Sequence, residues 1–122
     1  MVQWRTGTAR VTCRQVRGYK HPPIEEVALE HLFQALSDPV RLEIVQRLAL
    51  VGEASCSALN AGRPKSTMSH HFRVLREAGL IRTRTEGVSH ANMIRREELD
   101  RRFPGLLDAL LGAMRARLGA DA

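Results

Sequence analysis

A chain of 122 residues has room for one domain with an appendage. Its 43% hydrophobic content can fill a core, but aromatics make up only 4%, so that core must be built mostly from Leu, Ile, Val and Ala. No apolar run reaches the length of a membrane span, no signal-peptide pattern opens the chain, and two cysteines cannot make a disulfide framework; together these predict a cytoplasmic protein.

The net charge is +6, and its distribution says more than its size. Residues 1–20 carry Arg5, Arg10, Arg14, Arg17 and Lys20 with no acid, a charge of +5. Residues 63–84 carry another +5, from Arg63, Lys65, Arg73, Arg76, Arg82 and Arg84 against Glu77, and the remainder sums to −4. Two basic islands on an acidic body point to a polyanionic partner.

Residues 1–21 read as a basic N-terminal arm without a sustained period, a candidate for disorder. Trp4 and Tyr19 are the only residues of their kinds there or elsewhere in the chain. Such an arm can follow a DNA backbone or a minor groove, or it can be no more than a loose terminus. The folded domain is expected over 22–122, after His21-Pro22-Pro23. A first helix over 24–36 has an apolar stripe of Ile24, Val27, Ala28, Leu32, Phe33 and Leu36, too wide for a surface helix. Asp38 fits a helix N-cap and Pro39 a first helical position, so a second helix runs over about 39–50, with Val40, Ile44, Val45 and Leu48 inward. Gly52 closes it.

Ser55 caps a short helix through Leu59, and Asn60-Ala61-Gly62 is a turn. The helix over 65–78 follows. Met68, Phe72 and Leu75 fall at i, i+4, i+7 and form its back. Ser66, Ser69, His70 and Arg73 form a front of hydrogen-bonding groups and charge, able to meet base edges and phosphates. Gly79 ends the helix. Two helices joined by a Gly-containing turn, the second with a basic front, make a helix-turn-helix.

The run Leu80–Thr85 alternates, Glu86-Gly87 is a hairpin turn, and Val88–Ile94 returns, giving a two-stranded wing over 81–94. Arg82 and Arg84 share one strand face, from which they can reach phosphates. Residues 95–100 form a helical turn, and Pro104 opens a last helix over 104–118. That helix carries Leu106, Leu107, Leu110, Leu111, Met114 and Leu118. One small domain cannot easily bury this stripe as well as that of the first helix. The two therefore predict a homodimer whose seam includes Val27, Leu32, Leu106, Leu107, Leu110, Leu111 and Met114. The fold class is mainly α with a small hairpin: a dimeric winged helix-turn-helix of about five helices and a two-stranded wing.

Two stretches resemble the ArsR/SmtB family of bacterial winged-helix repressors: Ala35-Leu36-Ser37-Asp38-Pro39-Val40-Arg41-Leu42, and the run from Ser66 to Ile81. The Glu86-Gly87 wing tip matches as well, and the likeness covers roughly residues 24–111. The resemblance implies a homodimer that binds a palindromic operator on double-stranded DNA and represses transcription. It places DNA-reading positions at Lys65, Ser66, Thr67, Ser69, His70 and Arg73, with wing contacts at Arg82 and Arg84, and leaves His71 packed inward. Many relatives sense metals through a cysteine pair, where this chain has Ser55 and Ser57 around Cys56. Others use Asp and His on the last helix, where this chain has only Asp108. No metal or other cofactor is therefore expected, and the effector is left unassigned. Redox sensing, known among relatives, would here require Cys13 with Cys56, within about 7 Å between Cα atoms. Two readings from other classes compete. A winged-helix protein-interaction module would show no DNA sequence preference. An enzyme is disfavoured, because His70, His71 and the nearby serines lie along one helix and cannot converge on a cleft.

Overall fold

In a computed structural model that describes residues 19–121, the first helix, α1 (Leu29–Ala35), is shorter than the stripe over 24–36 predicts. A single 3-10 turn spans Ile24–Glu26, and Val27 and Ala28 are extended before α1 begins. The break has a packing reason. Val27 is buried against Gly79, so close that a Cβ on the glycine would come within 3.0 Å of Val27 Cγ1. The chain straightens at Val27 to deliver that side chain.

The second helix, α2 (Pro39–Val51), starts as read: Asp38 Oδ1 accepts from the N–H groups of Val40 at 2.8 Å and Arg41 at 3.2 Å. Burial pushes the Asp38 carboxyl up, but those two N–H bonds hold it below the usual carboxylate range. Ile44, Val45 and Leu48 face the core. A two-residue strand, β1 (Ala54–Ser55), leads into α3 (Cys56–Leu59), capped by Ser55 Oγ accepting from Ala58 N–H at 3.1 Å. After a turn in which Ala61 and Gly62 both have positive φ, α4 (Lys65–Ala78) packs Met68, Phe72 and Leu75 on the core. Gly79, at φ 94°, ends it, and Leu80 N–H closes back on Leu75 O at 3.0 Å.

The wing is part of a three-stranded antiparallel sheet, not a lone two-stranded hairpin. β2 (Ile81–Glu86) and β3 (Ser89–Ile94) pair from Ile81↔Ile94 to Glu86↔Ser89, and β1 adds Ala54↔Asn92 and Ser55↔Ala91 in the order β1-β3-β2. One buried amide stitches all three strands. Asn92 Oδ1 accepts from Thr83 Oγ1 at 2.7 Å, and Asn92 Nδ2 donates to Ala54 O at 3.2 Å. The turn lies one residue later than predicted, at Gly87-Val88, with positive φ only at the glycine, as in a type II′ hairpin.

Helix α5 (Arg96–Arg102) closes the base of the wing, and α6 (Leu106–Asp121) follows a turn at Gly105, so Pro104 precedes the last helix rather than opening it. Among the described residues, six α-helices thus stand where about five were expected. The core gathers Leu32, Ile44, Val45, Leu48, Met68, Leu75, Leu80 and Ile81, with Phe72 its one buried aromatic among the described residues.

Residues 19–22 lie along β2, the edge strand. Arg95 Nη1 donates to Pro22 O at 2.8 Å, Thr83 N–H donates to His21 Nε2 at 3.0 Å, and Tyr19 Oη lies 2.8 Å from His90 Nδ1. Tyr19 to His21, assigned to the arm from sequence, are therefore packed on the domain; the rest of the arm, with Trp4, Cys13 and its four arginines, lies outside the described residues. Burial, reinforced by Arg82, Arg95 and Arg76, pushes the His21 imidazole down to about 3. An unfolded chain protonates this histidine near 6.5, so between 6.5 and about 3 it binds more protons than the folded one. Stability is expected to be fully present above pH 6.5 and to be lost as pH falls towards 3. In His21→Gln, that dependence should flatten in urea melts taken across this range.

Candidate nucleic-acid interface

The helix-turn-helix presents one face of α4. Met68, His71, Phe72, Leu75 and Ala78 are buried, whereas Lys65, Ser66, Thr67, Ser69, His70 and Arg73 are all exposed. The two sets separate because the apolar residues recur at helical spacing and seat α4 on α2 and α1. The six exposed positions are those expected from the sequence, and they form a continuous front. Arg73 Nη2 lies 3.5 Å from His70 Nδ1, so those two polar ends meet on that front. No side chain caps the N-terminus of α4, where Pro64 is the N-cap, and its first-turn N–H groups add to the positive end of the helix.

His71 packs inward, as anticipated. Arg41 Nη1 donates to His71 Nδ1 at 3.2 Å and Arg41 Nε donates to Ala35 O at 2.6 Å, so one guanidinium braces α4 against the end of α1. An arginine donating to Nδ1 requires that nitrogen as an acceptor. Burial accordingly holds the His71 imidazole below its usual value. Beside the front runs an open groove of about 460 Å³, lined by His31 and Gln34 of α1 together with Arg41, His70, Val74 and Glu77. Sequence reasoning missed His31 and Gln34 as neighbours of His70; nothing local ties α1 to α4.

The wing corrects one expected contact. Arg82 is buried, with Nη2 3.2 Å from Glu98 Oε1, and Arg95 Nε donates to the same oxygen at 2.8 Å. Burial pushes the Arg82 guanidinium down to about 10, so it stays charged at neutral pH, and the Arg95 and Arg82 cations hold the Glu98 carboxyl low despite its own burial. Arg82 locks the base of the wing onto α5 and is not displayed. The hairpin leaves the body only beyond Thr83. Arg84 is half-exposed there, but Glu86 at 2.8 Å and Glu53 at 2.6 Å engage its Nη2 and raise its pKa.

The expected dimer seam also needs correction. Val27, Leu32, Leu107, Leu111 and Met114 are buried within a single chain and belong to its core. Leu106 and Leu110 keep an open flank beside an apolar crevice shared with Leu32 and Phe103. Leu29 and Phe33, one turn apart on α1, are 41% and 47% exposed.

Ser55 Oγ and Ser57 Oγ lie 3.3 Å apart, while Cys56 Sγ turns inward, 3.4 Å from Asn92 Nδ2. Cys13, the partner that redox sensing would require, lies outside the described residues. Among the described residues, no three His, Cys, Asp or Glu side chains are placed to share a metal ion, and no helix is long and apolar enough to cross a membrane.

A helix-turn-helix with a hairpin wing and a basic, hydroxyl-rich second helix defines a winged helix-turn-helix DNA-binding protein. A helix-turn-helix domain model matches residues 36–84. The HTH-type transcriptional regulator YceK of Bacillus subtilis (strain 168) is 38% identical over 82 residues, covering 65% of this chain and 82% of the relative. The arsenical resistance operon repressor of Escherichia coli (strain K12) is 42% identical over 60 residues, 46% of this chain and 50% of the relative. Among solved structures, an ArsR family transcriptional regulator superposes with a TM-score of 0.56 at 27% identity, covering 75% of this chain and 96% of that one. This chain belongs to the ArsR family of winged helix-turn-helix transcriptional regulators. It is a DNA-binding regulator, from a family of regulators rather than of enzymes.

Proposed function

We propose that the protein is a cytoplasmic, sequence-specific repressor that binds a palindromic operator as a homodimer. The observation that carries this reading is the front of α4, where Lys65, Ser66, Thr67, Ser69, His70 and Arg73 are exposed together and no acid intervenes before Glu77. In this reading α4 enters the major groove. Ser66, Thr67 and Ser69 meet phosphates and tolerant base positions, His70 donates or accepts at a base edge, and Lys65 and Arg73 reach phosphate or guanine. Arg84 exchanges its carboxylate partners for a phosphate when the wing docks. Blocking of transcription is supported by the likeness to an arsenical resistance operon repressor.

The dimer sets two α4 helices one helical turn of DNA apart, which is why the operator should be palindromic. Leu29 and Phe33 of α1, with Leu106 and Leu110 of α6, are the seam proposed here. Phe33→Glu and Leu110→Glu should each give a folded monomer in sedimentation velocity, because both positions have an open flank in one chain. An intact dimer in both would move the seam elsewhere.

The deciding experiment is fluorescence anisotropy on duplex DNA from upstream of the protein's own coding region against a scrambled duplex, at about 0.15 M salt. A preference of about a thousandfold or more is expected. Equal, weak, salt-sensitive binding to both would overturn the repressor reading.

A further inference from the structure

Helix α4 and the wing must dock on one duplex together, so their relative placement matters. The chain joins them at one end, where Gly79 and Leu80 lead from α4 into β2. Farther out, Arg76 Nη1 reaches Thr83 Oγ1 at 3.5 Å, the long limit of a hydrogen bond. Tyr19 then bridges beyond that point. The Arg76 guanidinium lies 4.2 Å from the centroid of the Tyr19 ring. The same ring meets His90 edge-on, with centroids 5.6 Å apart, and Tyr19 Oη lies 2.8 Å from His90 Nδ1. His90 pairs with Thr85, two residues nearer the tip than Thr83. Two strand residues span about 7 Å, so Tyr19 carries the link between α4 and the wing that much farther out.

Tyr19 is held in place by its neighbours in the chain. Thr83 N–H donates to His21 Nε2 at 3.0 Å, and Arg95 Nη1 donates to Pro22 O at 2.8 Å. Arg95 is itself fixed by Glu98, in the buried cluster at the wing base. The segment leading to Tyr19 is thus tied to the wing at two points, and the cation–π contact ties its ring to α4. Arg76 differs in this from Arg73, one turn earlier. Arg73 is exposed on the front of α4, whereas Arg76 is half-buried against Tyr19 and Thr83.

We propose that Tyr19 and Arg76 form a latch that fixes the wing relative to α4, and that both are positioning residues for DNA binding. They act through Arg84 and the α4 front, not by reading bases. This rests on the DNA-binding reading above and adds to it the device that sets the spacing of its two contact regions. With the latch closed, Arg84 arrives at the phosphate backbone as α4 enters the groove. Without it, the hairpin beyond Thr83 swings and α4 docks alone.

The test uses the full chain as Tyr19→Leu and Tyr19→Phe, neither of which changes its charge. Hydrogen exchange is read first, without DNA. In Tyr19→Leu the paired amides of 84–91 should exchange about 2- to 30-fold faster, while α4 keeps its wild-type protection. Tyr19→Phe keeps the ring beneath Arg76 and loses only the bond to His90, so it should fall between. On the upstream duplex, Tyr19→Leu should bind about 2- to 30-fold more weakly than wild type. Its salt slope should fall by about 0.9 for each phosphate that the wing gives up, although no charged residue has been changed. A residue that merely supports the fold would lower stability and leave that slope alone. Wild-type exchange in the wing of Tyr19→Leu would overturn the latch, and so would faster exchange spread evenly over α4 and the wing. Faster exchange confined to the wing, with affinity and slope as in wild type, would overturn the positioning role. Wild type that binds neither the upstream nor a scrambled duplex would instead overturn the DNA-binding reading. The exchange comparison, made without DNA, tells that failure from a failure of the latch.

Discussion

Arg73→Ala should weaken binding to the preferred duplex by roughly 5- to 150-fold, corresponding to about 1–3 kcal/mol for one well-placed arginine contact. Arg73 is exposed at the middle of α4 and its guanidinium meets His70 rather than a carboxylate, so nothing in the fold depends on it. The loss should therefore appear in anisotropy titrations with the melting temperature unchanged. If Arg73 holds guanine, the variant also loses discrimination at one base pair; if it holds phosphate, affinity falls evenly across sequences. Unchanged affinity would mean that α4 offers a different face to DNA.

Glu98→Ala carries the largest expected loss of stability, about 3–5 kcal/mol, the range for removing one member of a buried ionic cluster. The Arg95 side chain is 2% exposed, that of Arg82 9% and that of Glu98 16%, so two guanidinium groups would lose their shared carboxylate where water barely reaches. Such a loss is a large fraction of the total stability of a small domain. It would loosen the wing first, because Arg82 belongs to β2 and Arg95 follows β3 directly. Urea unfolding gives the number. A cost below about 1 kcal/mol would show that the cluster behaves as a solvated surface pair.

Features set by neighbours in sequence were legible. Met68, Phe72 and Leu75 identified the back of α4 and hence its front, and Asp38-Pro39 and Gly79 marked helix ends through their own backbone chemistry. Features set by distant partners were not. Val27 looks like a helical position until Gly79, more than fifty residues later, is seen to need its side chain. β1 has two residues, too few to show a period, and exists because the Asn92 amide reaches Ala54. Arg82 and Arg84 alternate as a displayed pair should, yet Glu98 draws one inward while Glu53 and Glu86 collect the other. The dimer stripe misled for a related reason. A helix too apolar for a surface can be satisfied by its own core, and Leu107, Leu111 and Met114 are satisfied that way. Of the candidate site, the helix was readable and the wing was not, because charge on a strand has no meaning until its counter-charges are known.

Tyr19 has a practical consequence. It is the chain's only tyrosine, and Trp4 is its only tryptophan. In Trp4→Phe, therefore, all phenolic absorbance and emission comes from one ring, held between the Arg76 guanidinium and His90. Its quenching and polarisation give a label-free optical signal from the junction of wing and α4, recorded without attaching a dye to the surface that meets DNA.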